Sequence, residues 1–94
     1  MPKLTHDMVH HLNEELKKKG CHFHYLLYTF KYPDGTFGLS IRRTITDHSE
    51  FFVDAVISCD KTFYEWLDKF FKDNYNIILD YSENGNECWV RKET

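Results

Sequence analysis

One tight-turn signal constrains this chain more than any other feature of its sequence. In the segment Tyr32-Pro33-Asp34-Gly35-Thr36, proline and aspartate stand where a type I turn prefers them, and glycine stands where the backbone must be left-handed. The residues from Cys21 to Tyr32 are rich in aromatic and β-branched side chains and have no helical period. The turn and its flanks therefore predict a β-hairpin.

The turn also predicts which residues face each other across the hairpin. If Tyr32 pairs with Thr36, side-chain alternation places one set of residues on a single face: Phe23, Tyr25, Leu27, Thr29 and Lys31, opposite Ile45, Arg43, Ile41, Leu39 and Phe37. This face is mostly apolar. We therefore expect it to be core, with Phe37 buried.

Two further segments have the apolar spacing of amphipathic helices. Thr5 is an N-cap residue for a helix that we expect to run from about Thr5 to Lys19. Asp60 caps a second helix that should end near Asn74. The apolar stripes of the two helices are Met8, Val9, Leu12 and Leu16, and Phe63, Leu67, Phe70 and Phe71.

The rest of the chain has the patterns of strands. Apolar and polar residues alternate from Glu50 to Ser58, which predicts a third strand. A second hairpin is predicted from Ile77 to Ser82, the connection Glu83-Asn84-Gly85-Asn86, and Glu87 to Arg91, because Asn-Gly is the preferred pair for a two-residue type I′ turn. The predicted order of elements is therefore α-β-β-β-α-β-β.

Length and composition are those of one small domain. With 94 residues, of which 41% are apolar, the chain can bury a single core of modest size. We expect residues 1–94 to form one α+β domain, an antiparallel sheet with both helices packed on one face.

The second face of the predicted sheet is too apolar for a surface that only water covers. It carries Leu26, Tyr28, Phe30 and Tyr32 opposite Arg42, Ser40, Gly38 and Thr36. Phe52, Val56, Ile78 and Trp89 extend the patch from the other strands. Either these rings pack over glycine and serine or lie under a loop, or they form a binding surface.

Charge and targeting signals restrict the classes of partner and the location. The formal net charge is −3, and basic residues are scattered among acidic ones except at 17–19, the end of the first predicted helix. This is not the footprint of a usual nucleic-acid binder. The first residues lack the apolar segment of a signal peptide and no stretch is long enough to span a bilayer, so we expect a cytoplasmic protein with no membrane partner.

Neither the cysteines nor the histidines have the spacing of a reactive or metal site. Cys21, Cys59 and Cys88 are far apart and contain no Cys-x-x-Cys pair, which predicts free thiols. His6 and His10 lack the glutamate of a His-Glu-x-x-His motif, and glycine-rich phosphate loops and serine nucleophile elbows are absent from the sequence. We therefore expect no metal, no cofactor and no catalytic residue.

These features favour a small noncatalytic protein-binding or regulatory module. The predicted binding residues are Tyr28, Phe30 and Tyr32 as anchors, with Arg42, Phe52 and Trp89 beside them. The partner is expected to be another protein or a second copy in a homodimer. The scarcity of alanine and abundance of Lys, Phe, Tyr, Asn and Ile indicate AT-rich codons, so an inhibitor from a low-GC bacterium or its phage is one version. The alternative is single-stranded nucleic-acid binding by the same face.

Overall fold

The computed structural model describes residues 3–45 and 60–92. Within these residues it has two helices, α1 (His6–Lys18) and α2 (Lys61–Tyr75), and four strands, β1 (Phe23–Lys31), β2 (Phe37–Ile45), β3 (Leu79–Tyr81) and β4 (Glu87–Val90). The strands form one antiparallel sheet in the order β1-β2-β4-β3. The α+β fold is therefore confirmed, while the predicted third strand, Glu50 to Ser58, lies outside the described residues.

Both helices begin at the predicted capping residues. Thr5 Oγ1 accepts a hydrogen bond from the Met8 amide at 3.2 Å, and Asp60 Oδ1 accepts one from the Phe63 amide at 3.0 Å. These bonds satisfy amide groups that have no partner within a helix. Helix α2 ends where Asn76 takes a left-handed conformation, with φ 55°. Neither of the two described helices is long and apolar enough to cross a membrane.

The first hairpin has the predicted turn and the predicted register. The Gly35 amide donates to the Tyr32 carbonyl at 2.9 Å, and the Tyr32 amide donates to the Thr36 carbonyl at 2.8 Å. Gly35 has the positive φ, 90°, that this turn requires. Tyr28 lies opposite Ser40, as expected. Because side chains alternate along a strand, this register determines which residues face the helices.

The second hairpin has the predicted connecting residues, 83–86, but not the predicted type of turn. A type I′ turn at Asn84-Gly85 requires positive φ at both residues, but of the two only Gly85 has it, at 76°. The Ser82 amide donates to the Glu87 carbonyl at 2.8 Å, so residues 83–86 form the loop. Asn84 Oδ1 accepts a bond from the Ser82 hydroxyl at 2.9 Å, which stabilises this longer loop. The predicted hairpin and its connection are therefore confirmed, whereas the prediction of a type I′ turn at Asn84-Gly85 is wrong.

Both helices pack on the same face of the sheet, as predicted. One buried cluster joins α1, α2 and alternate residues of the strands. Its fully buried members include Leu12, Leu16, Tyr25, Ile41, Leu67, Phe71 and Cys88. Because both layers contribute to the cluster, removal of this apolar surface from water is the main favourable term for the fold.

A polar side chain attaches α1 to the outer edge of β1. Asn13 Nδ2 donates to the Tyr25 carbonyl at 2.9 Å, and Asn13 Oδ1 accepts from the Tyr25 amide at 2.8 Å. The side-chain amide therefore pairs with the backbone of β1 as a neighbouring strand would. This contact positions α1 relative to the sheet.

The core face ends before Phe37. The Phe37 side chain is 71% exposed, whereas Leu39 packs against the core. Phe37 is the first residue of β2, next to the turn, and β4 pairs with β2 only over residues 40–42. The sheet is narrow at this end, so Phe37 extends beyond the layer that the helices cover. The prediction that Phe37 is buried is wrong.

Candidate functional site

The face of the sheet that points away from the helices has three rows of paired side chains. Leu26, Arg42 and Glu87 form one row, Tyr28, Ser40 and Trp89 form the next, and Phe30 pairs with Gly38 in the third. We call the surface formed by these residues and Tyr32 the aromatic face. It is the surface on which the sequence predicted binding.

Three aromatic residues of this face pack against one another, and we call them the packed half. Trp89 stacks on Phe30 with ring centroids 4.3 Å apart and planes inclined by 16°. Tyr32 meets Phe30 edge-on at 5.0 Å, and its hydroxyl donates to the Val90 carbonyl at 3.1 Å. All three rings are half-buried. The packed half therefore resembles a small second core.

Small residues of β2 make this packing possible. A Cβ atom on Gly38 would lie 2.7 Å from Cε2 of Tyr32, closer than two carbon atoms can approach. Ser40 lies between Tyr28 and Trp89 and is 0% exposed. The rings of β1 and β4 meet across β2 because the side chains of β2 leave space for them.

Leu26 and Tyr28 form the exposed half of the aromatic face. Their side chains are 40% and 38% exposed. The Arg42 guanidinium lies 4.6 Å from the centroid of the Tyr28 ring, in cation–π contact. Tyr28 is therefore an accessible ring whose orientation a neighbouring side chain restricts.

Glu87 holds Arg42 in this position. Glu87 Oε2 accepts hydrogen bonds from Arg42 Nε at 2.9 Å and from the Ser40 hydroxyl at 2.7 Å. Partial burial alone would raise the pKa of Glu87, but the two hydrogen bonds and the charge of Arg42 hold that pKa below its ordinary value. The hydrogen bond and charge of Glu87 in turn raise the pKa of Arg42. The two side chains are an ion pair at neutral pH.

A groove of about 490 Å³ extends from the exposed half to α1. Its lining includes Leu26 and Tyr28 from the sheet and His6, His10 and Asn13 from α1. His6 and His10 are exposed. A partner that covers Tyr28 would therefore also reach the exposed side of α1.

Comparison of this chain with models of protein families, with curated proteins and with solved structures found no match. The chemistry of the described side chains is therefore the basis for a proposal of function.

The described cysteines have the properties of unreactive thiols. Cys88 is buried on the helix-covered face, and desolvation raises its pKa. Burial also raises the pKa of Cys21, more than the charge of Lys19 lowers it. Because the thiolate is the nucleophilic form, neither thiol is activated. Cys59 lies outside the described residues.

No metal cluster is present in residues 3–45 and 60–92. There, no group of three or more His, Cys, Asp or Glu side chains has an arrangement that could hold a metal ion. The helix pair His6 and His10 contributes to the groove instead.

The structure brings most of the predicted binding residues together. Tyr28, Phe30, Arg42 and Trp89 share the aromatic face, and Tyr32 joins it through its contact with Phe30. Phe52 lies outside the described residues. The face divides into a packed half and an exposed half, which the sequence pattern did not predict.

Two residues of this candidate site were not predicted from the sequence. Glu87 holds Arg42, and Ser40 is the buried partner of Glu87. Alternation along β4 places Glu87 on the same side as Trp89, which was an available signal. The pairing of β4 with β2 could not be predicted from the sequence, because strand order depends on contacts between distant segments.

Proposed function

We propose that this chain is a noncatalytic protein-binding or regulatory module that recognises its partner with the exposed half of the aromatic face. The proposal rests on one observation. Tyr28 is exposed, lies under the guanidinium of Arg42, and Arg42 is itself held by Glu87. Tyrosine and arginine are among the residues in which the binding energy of protein interfaces concentrates.

The packed half supports this role because it makes the surface rigid. Phe30, Tyr32 and Trp89 fix one another by ring contacts, and Ser40 is buried beside Trp89. A surface that is already ordered loses less conformational entropy when it binds. Leu26, beside Tyr28, adds apolar area that a partner would remove from water.

The charges favour a protein partner over a nucleic acid. Arg42 is paired with Glu87 at 2.9 Å, and Arg91 is paired with Asp80 at 2.8 Å. Both arginines are therefore compensated by carboxylates, whereas nucleic-acid binding depends on cations that neutralise phosphates. The formal net charge of −3 also disfavours nucleic acid, because it repels the phosphates. Single-stranded nucleic acid is the weaker alternative.

The proposal assigns no reaction to Cys21 or Cys88, because burial raises the pKa of each thiol and so disfavours its nucleophilic thiolate. The version that we favour is a small cytoplasmic inhibitor from a low-GC bacterium or its phage. It would act by covering a surface of another protein, or as a homodimer in which the aromatic faces meet.

The test compares wild type, Tyr28→Ala and Phe37→Ala. Phe37→Ala is the matched control because Phe37 is an exposed aromatic residue outside the aromatic face. Sedimentation velocity at micromolar concentrations measures self-association, and each protein is also used as bait in an extract of a low-GC bacterium. We expect wild type and Phe37→Ala to dimerise or to retain the same protein. Tyr28→Ala should weaken that interaction by about 2 kcal/mol, or roughly 30-fold in Kd.

Two results together would contradict the proposal: the wild-type protein is a strict monomer, and all three baits retain the same proteins to the same extent. A labelled single-stranded oligonucleotide tests the alternative by fluorescence anisotropy. Micromolar binding that weakens steeply with salt and is lost in Arg42→Ala would establish nucleic-acid binding instead.

A further inference from the structure

A second cavity lies at the turn end of the first hairpin, away from Leu26 and Tyr28. Its volume is about 390 Å³. The apolar part of its lining is formed by Leu4, Phe37, Leu39 and Val90, and its cations are Lys3 and Lys92. A cavity that is mainly apolar, with a few polar groups that converge on it, is typical of a small-molecule site.

Phe37 lines this cavity although most of its side chain is exposed to water. The ring is 71% exposed, so it contributes little to the core. Leaving so large an apolar side chain in water loses the stabilisation that its burial would provide. A bound apolar group between Phe37 and Leu39 would remove this surface from water.

The cations around the cavity contrast with the acidic chain as a whole. Lys3 and Lys92 line the cavity, and Lys31 Nζ lies 5.9 Å from the centroid of the Phe37 ring. The formal net charge of the chain is −3. Asp34 compensates Lys92, so Lys3 and Lys31 supply the positive charge that is left to complement an anion.

Lys92 already binds one carboxylate at this place. Its Nζ donates to Asp34 and to the Thr36 hydroxyl, and lies 5.1 Å from the centroid of the Tyr32 ring. Among the described residues, neither Lys3 nor Lys31 has a carboxylate within ion-pair distance. An incoming carboxylate would meet Lys3 directly and share Lys92 with Asp34.

We propose that this cavity binds a small apolar carboxylate. Its hydrocarbon part packs against Phe37, Leu39 and Val90, and its carboxylate is held by Lys3 and Lys92. The volume is at the lower end of the range of roughly 300–1,000 Å³ for small-molecule sites, which fits a short-chain ligand. This site is additional to the proposed function. It shares Tyr32 and Gly38 with the aromatic face but uses neither Leu26 nor Tyr28, so each proposal can fail alone.

The test is a titration of the full chain with octanoate, followed by amide chemical shifts. Octan-1-ol is the matched uncharged probe. We expect saturable binding of octanoate, in the range of roughly 1–10 mM for a ligand of this size. Shift changes should centre on Thr36, Gly38 and Leu39. At equal concentrations within the aqueous solubility of octan-1-ol, this alcohol should produce shift changes roughly five- to tenfold smaller than octanoate does, because it lacks the charge-assisted hydrogen bonds.

Variants separate the two parts of the site. Phe37→Ala should weaken both probes, roughly fivefold, because it removes an apolar wall. Ile78→Ala is its control, since Ile78 is 53% exposed and does not line the cavity. Lys3→Met and Lys92→Met should weaken octanoate alone, and Lys72→Met, on α2, should have no effect.

Three results would overturn the proposal. One is equal shift changes for octanoate and octan-1-ol at equal concentrations, and another is octanoate binding that survives Lys3→Met and Lys92→Met together. The third is the absence of saturable shifts near Gly38, including the case in which shifts appear only around Tyr28.

Discussion

Trp89 stacks on Phe30 with ring centroids 4.3 Å apart, although their strands, β4 and β1, are separated by β2. The contact passes over Gly38 and Ser40, the two smallest residues of β2 on this face. It divides the aromatic face into residues that stabilise the fold and residues that are accessible to a partner.

This division predicts different costs for two aromatic substitutions. Trp89→Ala should lower the free energy of unfolding by about 2–3 kcal/mol, since a half-buried indole loses both burial and a stacked ring. Tyr28→Ala should cost about 1 kcal/mol or less, because Tyr28 is exposed. Urea midpoints of both variants check this. Equal losses would mean that Tyr28 is part of the core and that the exposed half does not exist.

Leu67 of α2 and Phe37 of β2 should also respond differently to substitution. Leu67 is 0% exposed, so Leu67→Ala should cost about 2–5 kcal/mol and unfold much of a small domain. Phe37→Ala should change stability by about 0.5 kcal/mol or less, as is usual for exposed positions. Thermal unfolding of both proteins distinguishes these outcomes. A large loss in Phe37→Ala would show that the ring is covered in solution.

Asn13 should contribute through its two hydrogen bonds to Tyr25. Asn13→Ala removes both bonds, and Asn13→Asp replaces the donor with a carboxylate that faces a carbonyl oxygen. Each variant should lose about 1–2 kcal/mol at neutral pH. Hydrogen exchange at the Tyr25 amide should accelerate in both. The exposed neighbour Glu14 supplies the control, Glu14→Ala, and similar exchange in all three variants would refute the role of Asn13.

The ion pair of Glu87 predicts a pH dependence. In the folded chain the pKa of Glu87 is held below its ordinary value, whereas in the unfolded chain glutamate titrates at about 4.3. The stabilisation is therefore complete above pH about 4.3 and is lost as the pH falls through the lower pKa of the folded state. Glu87→Gln should cost about 1 kcal/mol at pH 7, and this difference from wild type should shrink toward pH 3.

Urea unfolding at several pH values measures this difference. Glu83→Gln is the control because Glu83 is an exposed carboxylate in the adjacent loop. A cost of Glu87→Gln that stays constant down to pH 3 would show that the charge of Glu87 does not stabilise the fold.

Local features were predictable where one short segment supplies all the interactions. The Thr5 and Asp60 caps and the Pro33-Asp34-Gly35 turn depend on hydrogen bonds between residues a few positions apart. At Asn84-Gly85 the hairpin connection was predicted correctly, but its type I′ conformation was not. Two turn types suit the same residues there, and the side-chain bond of Asn84 to Ser82 favours the longer one.

The sequence by itself determined the class of fold, the hairpin register and the side of β1 on which Tyr28 and Phe30 lie, because these follow from periodicity and turn chemistry. Only the tertiary structure decided that Phe30 is packed and Tyr28 exposed, that Glu87 holds Arg42, and that Phe37 lies outside the core. The physical reason is that burial and ion pairing depend on which distant segments become neighbours. That order, β1-β2-β4-β3, is set by the packing of the whole chain and by no single segment of it.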